Sequence, residues 1–275
     1  MVYRFCLNSY LLFIRVITYY IPFFLLDEEE RNGTLKSYTR LKFLRKGNII
    51  VSFTNGRTIR GIAWSSALND PFAKALYQKY KLGTANNGSS MCDYLNDKNQ
   101  QISKKTIGDF HKDIMFGEYT NFPIWSFSYP WEHFSMRSKK ENYKDMVMEN
   151  RIEYVDTNIS EVDLFGRSHE VQFDLLMNSI VNNGYNSRIK DRVGIVILIK
   201  GKEWRWIMSG QGNHRAYICN YLGLKNFPVH IDCVVHFDKL GSLKRAGAEG
   251  YTLKAKQLIF DKVFTAAGAI LRGLE

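Results

Sequence analysis

The stretch WRWIMSGQGNHRAYICNYLGLKNFPVHI, running from Trp204 to Ile231, decides how the rest of the chain is read. Trp204 to Met208 is apolar and aromatic, as a buried strand should be. Ser209, Gly210, Gln211, Gly212 and Asn213 then break the pattern. The two glycines allow a tight turn and let a ligand approach the backbone amides. His214 to Leu222 places Ala216, Tyr217, Tyr221 and Leu222 at helical spacing, and Gly223 suits a left-handed residue after the helix. Phe227 to Ile231 resumes an extended chain, with Pro228 near its start, where a missing N–H costs least. A glycine turn feeding a helix N-terminus aims unpaired N–H groups and the positive dipole end at one spot. That is the chemistry of an anion site, most often a phosphate site. His214 and Arg215, in the first turn, add donors for such an anion.

The segment GQGNHRAYICNYLGLKNFPVHI resembles the signature of the ParB/sulfiredoxin superfamily, in which a G-x-(H/R)-R-x-x-A pattern is followed by L-G and a V-P-V-like strand. The resemblance extends upstream through SHEVQFDLLMNSIVNNGYNSRIKDRVGIVILIKGKEWRW and covers about residues 155–236. It implies an α+β fold, a small mixed sheet with flanking helices, and binding of a nucleotide (ATP, ADP or CTP). Members of the superfamily include CTP-binding partition proteins, ATP-using sulfiredoxins, nucleotide-dependent serine kinases and nuclease-like proteins. Two departures narrow that range. Sulfiredoxins carry a catalytic cysteine just before the signature His, where this chain has Asn213, so sulfinic acid reduction is not expected. Partition proteins continue into a helix-turn-helix, for which the roughly forty residues after Phe237 leave little room.

The chain has 275 residues, 45% of them hydrophobic and 14% aromatic, which indicates a globular protein with room for one large or two small domains. Its net charge of +11 favours polyanionic partners, whether nucleotides, nucleic acid or an anionic membrane surface. Cys6, Cys92, Cys219 and Cys233 form no CxxC pair, so they read as free thiols of a reducing, cytoplasmic compartment, and no metal site is expected from them.

Three regions are expected: a hydrophobic N-terminal helix over 1–30, a basic, aromatic-rich mixed α/β region over 31–150, and the signature domain with a C-terminal helix over 151–275. Phe5 to Leu26 suits a core helix or hydrophobic contact, with membrane association as the alternative. As a spanning helix, Arg15 at its centre would be expensive and Pro22 would kink it. Residues 31–60 hold no acid; Arg57 and Arg60 belong to this block, which reads either as a face for phosphates or as a solvated face on a small sheet. Thr54-Asn55-Gly56 between two apolar runs predicts a hairpin. Asn69-Asp70-Pro71 predicts a helix start, running to about Lys81. The aromatic segment Phe116 to Phe134 reads as a core strand and turn, or as a stacking platform, with Glu132 and His133 as candidate site groups. The domain boundary is placed in the charged stretch 137–150. A helix is expected from Ser168 to Asn182 with Val171, Leu175, Leu176 and Ile180 inward, then a buried strand over Val193–Ile199. A final helix, capped by Thr252, is expected over Leu253–Leu271.

The resemblance also implies site residues. Arg167, Ser168, His169 and Glu170 open the helix that lies beside the signature loop in the family. By carry-over from its serine kinases, Glu170 is the expected base for an acceptor hydroxyl, with Glu161 second. The plain alternative is that Glu170 only favours its own helix N-terminus electrostatically. Arg167, His169, His214 and Arg215 would hold phosphates, cradled by the turn Ser209, Gly210, Gln211, Gly212 and Asn213. Phosphoryl transfer needs positioning and charge neutralisation, for which Mg²⁺ is the expected ion, and the small-molecule acceptor is unspecified. A DNA-binding or nuclease-like protein, and a nucleotide-gated interaction protein at a membrane face, are the competing functions.

Overall fold

The computed structural model describes residues 48–81, 106–110, 114, 116–122, 126–141, 173–185, 193–210 and 212–265. The apolar run ending at Ile199 forms the central strand β3 (Gly194–Lys200), preceded by β1 (Asn48–Ser52) and β2 (Gly56–Arg57) and followed by β4 (Glu203–Met208) and β5 (Asn226–His236). The strands join in one mixed sheet of order β1-β5-β3-β4-β2. β1–β5 and β3–β4 are antiparallel, whereas β3–β5 and β2–β4 are parallel.

Both faces of the sheet are covered, which is why β3 is apolar at nearly every position. Ile195, Ile197 and Ile199 point to one core with Trp204, Trp206, Met208, Phe227 and Val229. Val196 and Leu198 point to the other, with Ile207 and Val235. The first core is closed by α1 (Pro71–Lys81), by α2 (residues 173–183) and by α3 (Asn213–Tyr221). The second is closed by α4 (Leu253–Thr265), through Ile259, Phe260 and Val263, and by the aromatic segment. An α+β class is thus the architecture.

The Asn-Gly hairpin is not what forms. β1 and β2 do not pair with each other; they run to opposite edges of the sheet, separated by the 3-10 turn Phe53–Asn55. In a flat sheet of this order the edges would lie about 19 Å apart, four spacings of about 4.8 Å. Four residue steps from Ser52 to Gly56 reach at most about 14 Å. The sheet must therefore curl. It curls around an aromatic cluster, with Phe53 stacked on Phe227 at 4.4 Å and edge-on to Trp64 at 5.2 Å. The Trp206 indole donates to the Ser52 carbonyl at 2.9 Å, tying the turn to β4. Gly56 has an ordinary negative φ of −89°. It is glycine for space, because a Cβ there would come within 2.5 Å of the Trp64 ring.

Because β1 and β2 are edges of the sheet that contains the signature strands, residues 48–57 are not part of a separate N-terminal region. Arg57 and Arg60, the described arginines of the basic block, are used differently from either expectation. Arg57 is 5% exposed. Its guanidinium donates to the Val263 carbonyl (2.9 Å), the Phe264 carbonyl (2.7 Å) and the Gly56 carbonyl (2.9 Å), so it caps the C-terminal end of α4. Burial, and then Arg205, lower its pKa to about 10, which leaves it charged at neutral pH. Arg60 donates to the fully buried Asp70 at 3.0 Å. Burial opposes the Arg60 charge, but Asp70 and then Tyr217 outweigh it and hold its pKa above the ordinary value.

Other elements fall near their expected places. Pro71 opens α1, and the Asp70 carbonyl accepts the first helical bond from Lys74 at 2.9 Å. In α2 the buried stripe is Phe173, Met177 and Ile180, whereas Leu175, expected inward, is 65% exposed. Val171 lies outside the described residues. The aromatic segment is core, with Phe116, Tyr119, Phe127, Tyr129 and Trp131 buried, but its described residues include a 3-10 turn and no strand. Thr252 caps α4 by accepting from the Ala255 N–H at 3.1 Å. The expected helix over 1–30 lies outside the described residues, and among those described no helix is long and apolar enough to cross a membrane.

Arg57→Met should lower the unfolding free energy by about 2–3 kcal/mol, because it orphans buried carbonyls at the end of α4. Arg57→Lys should restore little of it, since an ammonium lacks the planar fork. Urea denaturation of the two variants checks this, and a loss under about 0.5 kcal/mol would contradict the capping role.

Candidate functional site

The glycine turn forms as its sequence dictates. Gly210 has φ 111° and Gly212 has φ 71°, both in the left-handed region that side chains disfavour. Gly212 is the N-cap of α3 and has no side chain to satisfy the amides that follow. The Gly212 carbonyl accepts the first helical bond, from Ala216 at 3.2 Å. The helix then ends as expected, with Gly223 at φ 76° and the Leu224 N–H reaching back to the Cys219 carbonyl at 3.0 Å. Ala216 to Cys219 are buried and seat α3 on the sheet. The result is a fixed helix end with a glycine entrance.

The side chains around this turn are placed individually. Ser209 stands at the end of β4, where its N–H bonds to the Gly194 carbonyl at 3.0 Å and its hydroxyl donates to Asp232. Asn213 keeps its Oδ1 buried with no hydrogen-bond partner among the described residues. The His214 ring packs edge-on against Phe173 at 5.5 Å, so α2 helps position it. Arg215 is half-buried, near enough to Cys219 to lower its pKa against burial. Gln211, Arg167, His169, Glu161 and Glu170 lie outside the described residues. The expected phosphate donors Ser209, Gly210, Gly212, Asn213, His214 and Arg215 thus share one turn and the first turn of α3.

Sequence reasoning missed Asp232. β3 and β5 lose register between Ile195 and Val196, where Ile231 pairs with Ile195 and Cys233 with Val196, leaving Asp232 as the extra residue. A bulge re-aims the side chain at that point. Here it turns the carboxylate onto Ser209, with the His230 Nε2 at 4.0 Å from its other oxygen. Gly194 leaves the space, since a Cβ there would collide with both the Asp232 carboxylate and the Ser209 hydroxyl. The available signal was a lone carboxylate inside an apolar strand, at VHIDCVV, where acids are depleted. Glu132, by contrast, is engaged structurally: it accepts from Ser128 at 2.8 Å and pairs with Lys139. Among the described residues no cluster of three or more metal-ligating side chains is present.

The two thiols of this region are packing groups. Burial pushes Cys219 up to about 12, with Arg215 pulling the other way. It pushes Cys233 up to about 11, opposed by Arg245 and reinforced by Asp232. Both are protonated at neutral pH and are poor nucleophiles.

Gly194→Ala should split the Ser209–Asp232 contact and cost about 1–3 kcal/mol in urea denaturation, as overpacking does. The folded state also holds its thiol protons above the ordinary value of 9.0. The stability they contribute is complete below pH 9 and is lost as pH rises toward about 11 for Cys233 and about 12 for Cys219. Unfolding midpoints measured from pH 8 to 11 should therefore fall less in a Cys219→Ala/Cys233→Ala variant than in the parent; equal falls would contradict the shifts.

The chain matches no protein-family model, no curated protein and no solved structure.

Proposed function

We propose that this protein binds a nucleotide, ATP, ADP or CTP, with its phosphates at the turn Ser209–Arg215. The observation that carries this reading is the N-terminus of α3, whose N-cap is a glycine with no side chain, entered through two glycines in left-handed conformation. A side-chain cap would occupy the amides; Gly212 offers none. The dipole of α3 and the Arg215 guanidinium add attraction for a multiply charged phosphate. The resemblance of GQGNHRAYICNYLG to the ParB/sulfiredoxin signature supports the same assignment independently of the geometry. Mg²⁺ would enter on the phosphates, with Asp232 as a carboxylate at the turn.

Within this reading the protein is a phosphotransferase or nucleotide hydrolase, with Glu170 as the base for an acceptor hydroxyl. Asp232 joins Glu170 and Glu161 as a candidate, because it already accepts a proton-bearing hydroxyl at the turn. The DNA-binding alternative rests on less of the charge than composition suggests. Arg57 and Arg60 point inward, onto α4 and Asp70.

ATP, ADP or CTP with Mg²⁺, at about 100 times its Kd, should stabilise the protein by about 2.7 kcal/mol in thermal melting. Arg215→Ala should remove most of that gain with little change in the unliganded melting temperature. Turnover that collapses in Glu170→Gln or Asp232→Asn with binding intact would identify the enzyme and its base. No stabilisation by any nucleotide would end the proposal.

A further inference from the structure

A hollow lies beside α3. It is a cavity of about 620 Å³ walled by Trp64, Tyr77, Tyr80, Tyr217 and Tyr221. That volume falls within the roughly 300–1,000 Å³ of small-molecule sites. Among the described residues its polar lining comes from Ser65, Ser66 and Asn220 and from the tyrosine hydroxyls, of which those of Tyr80 and Tyr217 are given to Asp174 and Asp70; all are neutral groups that both donate and accept. Five aromatic rings, the hydroxyls of two serines and four tyrosines, and an amide make a place for a flat ring with a hydrogen-bonding edge.

Two other ring-compatible ligands fit less well. A quaternary ammonium also favours an aromatic box, but it gains most where carboxylates stand behind the rings. The acids behind these rings are already neutralised, Asp70 by Arg60 at 3.0 Å and Asp174 by Lys79 at 2.8 Å. A saccharide needs a dense set of planar polar side chains for its many hydroxyls, and the described lining residues include one amide. A heteroaromatic ring needs faces to stack on and one or two edge contacts, which matches the lining.

The position of the cavity links it to the phosphate turn. Asn213, Tyr217, Asn220 and Tyr221 stand at i, i+4, i+7 and i+8, one stripe along α3. The cavity residues on that stripe begin about 6 Å and end about 12 Å beyond Asn213 along the helix axis, within the length of a single nucleotide. Two buried polar atoms in this neighbourhood have no partner among the described residues: the Trp64 Nε1, in a residue 3% exposed, and the Asn213 Oδ1 on the stripe itself. The walls are also held in advance. The Tyr217 hydroxyl donates to Asp70 at 2.8 Å, and Tyr80 donates to Asp174.

We infer that the aromatic cavity between α1 and α3 receives the base of the nucleotide whose phosphates sit at the N-terminus of α3. This rests on the nucleotide reading proposed above, and the test separates the two. Adenosine, cytidine, ATP, CTP and inorganic tripolyphosphate are titrated calorimetrically into the full chain. The same titrations are run with Tyr221→Ala, which removes one wall, Ser65→Trp, which fills the cavity from an exposed position, and Arg215→Ala. Either nucleoside should bind alone, and should perturb the indole N–H resonance of Trp64, assigned with Trp64→Phe. Tyr221→Ala and Ser65→Trp should each weaken nucleoside and nucleotide about tenfold and leave tripolyphosphate unchanged. Arg215→Ala should weaken tripolyphosphate and nucleotide and leave the nucleosides unchanged. If tripolyphosphate and nucleotides bind but nucleosides do not, and the two cavity variants change nothing, the base site is wrong and the phosphate site stands. If nucleosides bind and tripolyphosphate does not, the cavity stands and the phosphate turn falls. Binding of tetramethylammonium in place of the nucleosides would overturn the ligand class.

Discussion

The sheet's two edges are consecutive in sequence, and that constraint governs the rest of the structure. A three-residue turn cannot bridge a flat five-stranded sheet, so the strands curl until the edges meet over Phe53, Trp64, Trp206 and Phe227. Curling brings the segment after β2 against the same sheet face that seats α3. Trp64 is the hinge of this arrangement: its ring lies edge-on to Phe53 at 5.2 Å and to Tyr217 at 5.0 Å. One indole therefore belongs both to the closure of the sheet and to the wall of the cavity. A strong hydrophobic driving force, about 25 cal/mol per Å² of apolar surface removed from water, thus holds the site's geometry as a by-product of folding.

Much of the signature region was legible because its information is local. The apolar runs of β3 and β4, the glycines at 210, 212 and 223, and the helical spacing of Ala216 and Tyr217 each act over a few residues. The partners of β1 and β2 were not legible. Asn55-Gly56 has the composition of a hairpin turn, yet Gly56 is there because two indoles crowd it, and those indoles lie 8 and 150 residues further on. The cavity was hidden for the same reason, its rings coming from 64–80 and 217–221. Asp232 was hidden by the bulge, since a period-two reading of β5 gives no warning that the register slips beside Ile195. Counting charges failed for Arg57 and Arg60 because a count does not distinguish a solvated guanidinium from one spent on carbonyls or a buried carboxylate.

The Arg60–Asp70–Tyr217 group sets how the cavity meets a ligand. Asp70 is wholly buried and sits at the N-terminus of α1, while Tyr217 comes from the middle of α3. Burial, reinforced by Asp70, raises the Tyr217 pKa well above the ordinary tyrosine value, so the phenol stays protonated and donates. As a contribution to stability such a buried ionic group is worth little or nothing, because desolvating the charges offsets their attraction. Its consequence is positional. It fixes the distance between the two helices that wall the cavity, and it is satisfied only in that arrangement, so Tyr217 is already ordered before anything enters. A ligand then does not have to supply the ordering of that ring from its own binding energy, commonly about 0.5–1.5 kcal/mol for each side chain immobilised. Replacing the group by apolar residues could leave the fold as stable and still loosen the cavity, because the helix spacing would no longer be specified by a directional contact. Stability and site geometry are therefore separable here: the aromatic cluster supplies the first, and the buried carboxylate with its two partners supplies the second.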